Sequence, residues 1–157
     1  MGGVARVPVA IALGSNLGDR DARLDEAEDR LAALLSGAVA SARYETEPVG
    51  SLPDTPLYLN EVVVGTTLLA PRALLDALHG IEQDAGRERP FVNAPRTLDL
   101  DLILYGDFVI DEPGLHVPHP RFRERVFVLQ PLAEVAGDWV DPVSGLTVRD
   151  LHARLDA

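Results

Sequence analysis

The chain has 157 residues, no cysteine and a formal net charge of −11, and all 14 of its basic residues are arginine. This length, with 46% hydrophobic residues, predicts one domain with a sizeable core and excludes a disordered chain. The negative charge argues against binding to nucleic acid or to anionic membranes. The sequence has no cysteine for disulfides, no apolar run long enough to span a membrane and no signal-peptide pattern, so we expect a cytoplasmic protein.

Hydrophobic periodicity and Pro- or Gly-rich stretches divide the chain into strands, helices and loops. In chain order we expect a strand from residue 7 to residues 14–16, a helix at 24–34, a strand at 38–45, a loop at 46–56, a strand at 58–68, a helix at 71–86, a loop at 87–96, a strand at 98–105, a helix at 122–129 and a terminal helix at 147–155. A turn at Gly106-Asp107 predicts a hairpin between the strand at 98–105 and residues 108–110. Since no repeat or linker interrupts the pattern, residues 1–157 are expected to form a single α+β domain.

The segment from Leu98 to Leu102 alternates leucine with aspartate. In a strand, successive side chains point to opposite faces, so the leucines should face the core while Asp99 and Asp101 emerge together. Two residues of strand span roughly 6.5–7 Å, and carboxylates at that spacing can converge on a hard cation such as Mg²⁺ or on a pair of them. The alternative, a solvated outer face of an amphipathic strand, stays open on this pattern alone.

Cationic residues flank this strand in the sequence. Loop arginines opposite two metal-binding carboxylates suit a polyphosphate, and the candidates are Arg87 and Arg96, with Arg89 in the same loop. His119 lies between two prolines, a position that fits a backbone-bonded loop histidine and a functional residue equally well. The other basic residues nearby are interpreted as surface or structural: Arg121, Arg123, His79, His116 and His152.

Six segments together resemble the 6-hydroxymethyl-7,8-dihydropterin pyrophosphokinase family, over nearly the whole chain. They are residues 12–18, residues 44–50, Tyr58-Leu59-Asn60, Ile81-Glu82 with Gly86-Arg87, residues 95–101, and residues 117–120 followed by Arg125 and Phe127. Each segment is a weak signal alone, but their shared order and spacing are specific. The resemblance implies a ferredoxin-like α+β fold, a mainly antiparallel sheet with helices packed on its faces.

The resemblance also implies transfer of pyrophosphate from ATP to the pterin hydroxymethyl group, giving AMP and the pterin diphosphate in folate biosynthesis. It implies two Mg²⁺ ions at Asp99 and Asp101, and a catalytic set of Arg87, Arg96, Asp99, Asp101, His119 and Arg125. The expected ATP-binding residues are Glu82, Arg87, Arg89, Arg96, Leu102, His119 and Arg125. The expected pterin-binding residues are Thr46, Glu47, Pro48, Val49, Tyr58, Asn60 and Phe127. We expect a monomer whose partners are these small molecules, with no nucleic acid or membrane partner.

One departure from the family pattern is local. The frequent Arg-Trp-Gly-Pro-Arg sequence is Val-Asn-Ala-Pro-Arg at residues 92–96, so the tryptophan and its preceding arginine are missing. We nevertheless expect residues 87–95 to order over ATP, with Phe91 covering part of the site. Two alternatives stay open: another Mg²⁺-dependent nucleotidyl or glycosyl transferase with the same D-x-D pattern, and a non-catalytic ferredoxin-like nucleotide-binding module.

Overall fold

The computed structural model describes residues 5–16, 18–46, 57–86 and 98–156. Within these ranges the chain forms, in order, β1 (Val7–Ser15), α1 (Arg20–Ala32), β2 (Ser36–Ala40), β3 (Tyr44–Thr46), β4 (Tyr58–Thr67), α2 (Pro71–Gly86), β5 (Asp99–Tyr105), β6 (Ile110–Glu112), β7 (Leu115–Val117), a 3₁₀ turn (Phe122–Glu124), α3 (Val126–Ala136) and α4 (Val148–Asp156). Among the described helices, none has the length and apolar character needed to cross a membrane. Apart from Thr46, the predicted loops at 46–56 and 87–96, with the expected ordering over ATP, lie outside the described residues.

The helices begin where local chemistry predicts. Asp19 caps α1, because its side chain accepts a hydrogen bond from the Ala22 N–H at 3.0 Å. Pro71 is the first residue of α2, a position at which proline sacrifices no intrahelical hydrogen bond. Thr147 caps α4 by accepting the Asp150 N–H at 3.1 Å. The three helices that apolar spacing predicts in these regions are thereby confirmed.

One antiparallel sheet holds the elements together. Its strand order is β2-β4-β1-β5, and the short strand β3 pairs with the first residues of β4. The central strand β1 pairs with β4 on one side and β5 on the other, which places Gly14 between Asn60 and Asp99. The predicted ferredoxin-like α+β fold, with a mainly antiparallel sheet and helices on its faces, is confirmed.

Two apolar cores lie on opposite faces of this sheet. The core under α1 and α2 includes Ile11, Leu24, Leu31, Leu74 and Leu78. The core under α3 and α4 includes Ala10, Val62, Phe122, Leu129 and Leu132. Burying a leucine or phenylalanine stabilises the fold by roughly 1.5–3 kcal/mol, and β1 contributes residues to both cores. The central strands are therefore fixed from both sides and support rigidly the residues at their ends.

Strand β5 combines core and exposed positions as its sequence predicts. Leu98, Leu100 and Leu102 are 3–5% exposed, whereas Asp101 is exposed and Asp99 is half-buried. The alternation then changes phase at Ile103, because Leu102 lies opposite Ile11 while Leu104 lies opposite Ala10. Ile103 is the extra residue of a β-bulge, and its carbonyl accepts the backbone N–H of His119 at 2.9 Å. The bulge therefore ties His119 to the strand that carries both aspartates.

The hairpin predicted around Gly106-Asp107 is wrong. Among the described residues beyond Tyr105, none forms a strand ladder with β5; instead, β6 pairs with β7 in a separate two-stranded sheet. The turn is present, but Phe108 folds back so that its ring meets the Tyr105 ring edge-on, with 5.2 Å between centroids. This contact directs the chain away from the sheet, and the hairpin forms one turn later around Gly114, whose φ is +75°.

Two further elements differ from the sequence expectation. The strand predicted at 38–45 is two strands, β2 and β3, because side chains replace backbone partners between them. The Ala42 N–H donates to Glu134 of α3 at 2.8 Å, and the Ser41 side chain accepts the Val62 N–H at 3.0 Å. The helix predicted at 122–129 is a 3₁₀ turn followed by α3, which continues past Pro131 to Ala136.

Arg123, interpreted from the sequence as a surface counter-charge, forms a buried ion pair. Its guanidinium donates from two nitrogens to the carboxylate of Asp141, which is 0% exposed and also accepts the Val143 and Ser144 N–H groups. Burial alone would raise the pKa of Asp141, but these hydrogen bonds outweigh it and lower the pKa from 3.8 to about 2. The pair fastens the 3₁₀ turn to the loop before α4.

We expect this pair to make stability depend on acid pH. The folded-state pKa of Asp141 lies below its unfolded value, so the unfolded chain takes up the proton first and stability falls as pH drops from about 4 towards 2. The contribution present above pH 4 should be about 2–3 kcal/mol. Urea unfolding of the wild type and Asp141→Asn should therefore differ most at neutral pH and converge on acidification.

A matched control is Asp138→Asn, since Asp138 is 84% exposed and pairs with Arg149 on the surface. Exposed pairs contribute about 0–1 kcal/mol, so this variant should track the wild type at every pH. A constant gap between wild type and Asp141→Asn from neutral pH to pH 2 would contradict the expected role of the charge.

Candidate active site

A cavity of about 730 Å³ opens over the ends of β1, β4 and β5. This volume lies in the range of small-molecule sites, roughly 300–1,000 Å³. Its floor is the central strand, where Ala12 and Gly14 have almost no side chain. A Cβ at position 14 would lie 3.2 Å from Asn60 Oδ1 and 3.5 Å from the Tyr58 ring, which shows how closely those side chains approach β1. Small residues on β1 thus leave the space above the strand open.

Both aspartates of β5 line this cavity. Asp99 lies opposite Gly14 and Asp101 lies opposite Ala12, so the two carboxylates emerge on the same face of the sheet. Between them, the Leu100 N–H donates to Glu82 of α2 at 2.7 Å, which fixes the start of the strand. Glu82 also lines the cavity, so the structure gives this predicted ATP-binding residue a contact with the backbone between the aspartates.

The donor set of Asp99 and Asp101 suits Mg²⁺. Carboxylate oxygens at an open cleft match a cation that takes one or two protein carboxylates and fills its other positions with phosphate oxygens and water. In the part of the chain that the structure describes, no group of three or more His, Cys, Asp or Glu side chains could hold a metal by itself. Phosphate oxygens of a bound molecule, together with water, can supply the remaining ligands.

One wall of the cavity combines aromatic and amide side chains. Tyr58 and Asn60 project from β4, and Asn60 Nδ2 donates to Thr46 Oγ1 on the neighbouring strand β3. Burial, and then the nearby Asp99 carboxylate, raise the pKa of Tyr58 above its usual value. Phe127 of α3 also lines the cavity. These residues can hold a flat ring and bind its polar edge.

Another wall of the cavity is cationic. Arg125 lines the cavity, and its guanidinium carbon lies 5.6 Å from the centroid of the Phe127 ring, a cation–π geometry. His119 is half-buried, and its Nδ1 accepts the Arg121 N–H at 3.2 Å. Burial lowers the pKa of His119, and Arg125 and Arg121 add to this effect while Asp101 opposes it. A neutral ring whose Nδ1 is an acceptor carries its proton on Nε2, which can donate to an anionic oxygen.

The structure brings together eight of the residues predicted for the site. They are Thr46, Tyr58, Asn60, Glu82, Asp99, Asp101, Arg125 and Phe127. Of the other predicted residues, His119 accepts a hydrogen bond from the backbone of Arg121, which lines the cavity. Leu102 is 5% exposed and lies in the core under α1 and α2. Six predicted residues lie outside the described part of the chain: Glu47, Pro48, Val49, Arg87, Arg89 and Arg96.

Three residues with polar or charged side chains that line the cavity are absent from the sequence prediction: His79, Arg121 and Glu124. A signal for His79 was present, because it precedes Glu82 by three residues and so shares its face of α2. The sequence interpretation of Arg121 is a surface counter-charge, but the 3₁₀ turn directs it to the cavity edge. There its Nε lies 4.0 Å from Glu124 Oε2. Sequence spacing around an irregular turn carries no comparable signal.

Comparisons with known proteins agree on one family. Residues 10–137 match the model of the 7,8-dihydro-6-hydroxymethylpterin-pyrophosphokinase family. A Synechocystis protein named 2-amino-4-hydroxy-6-hydroxymethyldihydropteridine pyrophosphokinase is 43% identical over 151 residues, which cover 93% of this chain and 75% of that protein. A Bacillus subtilis protein of the same name is 45% identical over 127 residues, covering 80% of this chain and 75% of that protein.

A solved structure with the same fold is Plasmodium falciparum HPPK-DHPS, which superposes with a TM-score of 0.76 at 15% sequence identity. The superposition covers 98% of this chain but only 45% of that larger protein. At this identity the likeness concerns the fold alone.

Proposed function

Since the chain belongs to the 7,8-dihydro-6-hydroxymethylpterin-pyrophosphokinase family, we infer from its cleft how its residues serve that reaction. The enzyme transfers pyrophosphate from ATP to 6-hydroxymethyl-7,8-dihydropterin in folate biosynthesis. The assignment of roles to individual residues rests on one observation. Asp99, Asp101, Arg125 and the Tyr58–Asn60 wall line the same cavity. The family match favours this reaction over the two alternatives that the D-x-D pattern leaves open.

We propose that the pterin ring lies between Tyr58 and Phe127. Two aromatic side chains from different elements line the cavity there, and flat ring systems favour offset stacking on such groups. Asn60 and Thr46 present an amide and a hydroxyl on the same wall, which suits the paired donors and acceptors of a pterin edge. The predicted contacts of Glu47, Pro48 and Val49 with the pterin stay predictions.

We propose that the triphosphate lies between the aspartates and the cationic wall. Asp99 and Asp101 would hold two Mg²⁺ ions, which supply charge neutralisation and orientation of the phosphate and hydroxyl oxygens. Arg125 would donate to a phosphate oxygen through its guanidinium fork, and the Nε2–H of His119 would donate to another. Arg87, Arg89 and Arg96 stay predicted phosphate ligands, and Leu102 stays a predicted ATP contact.

The chemistry then depends on position and charge. The hydroxymethyl oxygen attacks the β-phosphorus of ATP, the bond from that phosphorus to the α-phosphate oxygen breaks, and AMP leaves. Asp101 is our candidate for assisting removal of the hydroxyl proton. Stabilising the charge on the transferred group and aligning the two oxygens supply most of the rate enhancement.

The identity of the nucleotide product, AMP or ADP, tests this proposal. Incubation of the protein with ATP, Mg²⁺ and 6-hydroxymethyl-7,8-dihydropterin should give AMP and the pterin diphosphate in equal amounts, separated by ion-exchange chromatography. Attack at the β-phosphorus leaves no ADP, so ADP with a pterin monophosphate would contradict it. Omitting the pterin should abolish AMP formation, which excludes simple hydrolysis of ATP. The expected single domain, monomeric state and cytoplasmic location stay predictions.

A further inference from the structure

Arg20 connects two strands at the edge of the cleft. Its guanidinium donates from one nitrogen to the Leu57 carbonyl and from another to Glu45 Oε2, both at 3.0 Å. Glu45 directly precedes Thr46, the last residue of β3, and Leu57 directly precedes Tyr58, the first residue of β4. One side chain of α1 thus spans the open end of the ladder formed by these two strands.

Among the described residues, few other contacts support this end of the ladder. Strand β3 has three residues, and its last pair joins Thr46 to Tyr58. The opposite end is anchored to both helix layers: Tyr44 OH donates to Glu134 of α3, and Arg43 pairs with carboxylates of α1. At the cleft end, the described residues hold the strands through the pairing of Leu59 with Ser15 of β1, the Asn60–Thr46 bond and the two hydrogen bonds of Arg20.

We propose that Arg20 is a positioning residue for the pterin, acting through the strands that carry Thr46, Tyr58 and Asn60. This inference rests on the proposed function of that wall. A planar guanidinium can donate to a carbonyl and a carboxylate at once in a fixed geometry, which a lysine ammonium cannot reproduce. Losing the bridge would let the last pair of the ladder, Thr46 and Tyr58, separate, so the hydroxyl and the ring would no longer be aligned with the Asn60 amide.

A role in positioning is distinguishable from a role in stability. Arg20 is 29% exposed and Glu45 is 54% exposed, and ion pairs of this kind add little to the free energy of unfolding. Arg20→Ala should therefore leave the unfolding midpoint nearly unchanged. Because the ends of β3 and β4 that carry Thr46 and Tyr58 would lose their fixed spacing, KM for the pterin should rise about 10-fold. KM for ATP should stay within about two-fold, since Arg20 contacts no residue of the proposed phosphate site.

The experiment combines three variants and two readouts. Arg20→Lys keeps the charge but not the fork, and its pterin KM should lie between those of the wild type and Arg20→Ala. Arg30→Ala is the matched control, because Arg30 lies on the same helix and pairs with Asp84 of α2 away from the cleft. Its pterin KM should equal that of the wild type. Pterin binding is also measured by calorimetry with a non-hydrolysable ATP analogue, independently of turnover.

A second test pairs Arg20→Ala with Glu45→Ala. If the two residues act through one bridge, the double variant should bind the pterin no more weakly than Arg20→Ala alone. An unchanged pterin affinity in Arg20→Ala, or an equal loss of pterin and ATP affinity, would overturn the inference. A wild type that binds the pterin but forms no AMP would count against the proposed reaction, while the binding measurements would still decide the role of Arg20.

Discussion

Asp99→Ala and Asp101→Ala should each lower kcat/KM by at least about a thousand-fold while the protein stays folded. Both carboxylates emerge into the cavity from a strand whose other face is buried, so neither contributes to core packing. Removing one deletes an expected Mg²⁺ ligand at the place where the triphosphate carries its charge. Steady-state kinetics at saturating Mg²⁺ and thermal unfolding by circular dichroism measure the two expectations on the same samples.

The control for these variants is Asp107→Ala. Asp107 is an exposed aspartate in the turn that follows the same strand, so its loss changes the net charge equally but leaves the cleft intact. Its kcat/KM should match that of the wild type. If Asp99→Ala or Asp101→Ala retained Mg²⁺-dependent activity within about ten-fold of the wild type, that position would belong to the solvated face of an ordinary amphipathic strand.

Leu100→Asp should have the opposite effect, unfolding the protein instead of disabling it. Leu100 lies between the two aspartates in sequence but is 3% exposed in the core under α1 and α2. A carboxylate there would lose its hydration and leave a poorly filled apolar site, at a cost of about 4 kcal/mol or more. The free energy of unfolding of a domain is only about 5–15 kcal/mol. Urea titration at 25 °C should therefore show that the unfolding midpoint of Leu100→Asp is far below that of the wild type.

Leu100→Met is the control for this prediction. It conserves volume and hydrophobicity, so the free energy of unfolding should fall by less than about 1.5 kcal/mol. A Leu100→Asp protein with the unfolding midpoint of the wild type would mean that the leucine face of β5 is not the buried face.

The sequence predicted the elements more completely than their pairing. The side chains of Asp99, Leu100 and Asp101 alternate because of local strand geometry, so the exposed and buried faces of β5 could be predicted from a few residues. Pairing depends on distant segments: β5 follows β4 along the chain yet pairs with β1, and the hairpin predicted after Tyr105 forms only between β6 and β7. No local pattern distinguishes these choices.

The site shows the same division. Residues within recognisable segments, such as Tyr58 and Asn60, line the cavity as predicted. Residues whose importance depends on a remote partner were interpreted as surface charges or not considered. The partner of Arg123 is Asp141, 18 residues away, and the partners of Arg20 are 25 and 37 residues away. A short motif cannot encode such pairs, because only the fold brings them together.

The nearly bare floor of the cavity also restricts how this enzyme could escape an inhibitor. An inhibitor that fills the space above Gly14 would ordinarily be resisted by enlarging the residue beneath it. Here a single added methyl group would lie 3.2 Å from the Asn60 side chain and 3.5 Å from Tyr58, the two groups proposed to bind the pterin. A resistance substitution at position 14 would therefore press on the Asn60 amide and, with a larger side chain, on the Tyr58 ring, so compounds directed at this floor should meet resistance there only at a cost to binding of the natural substrate.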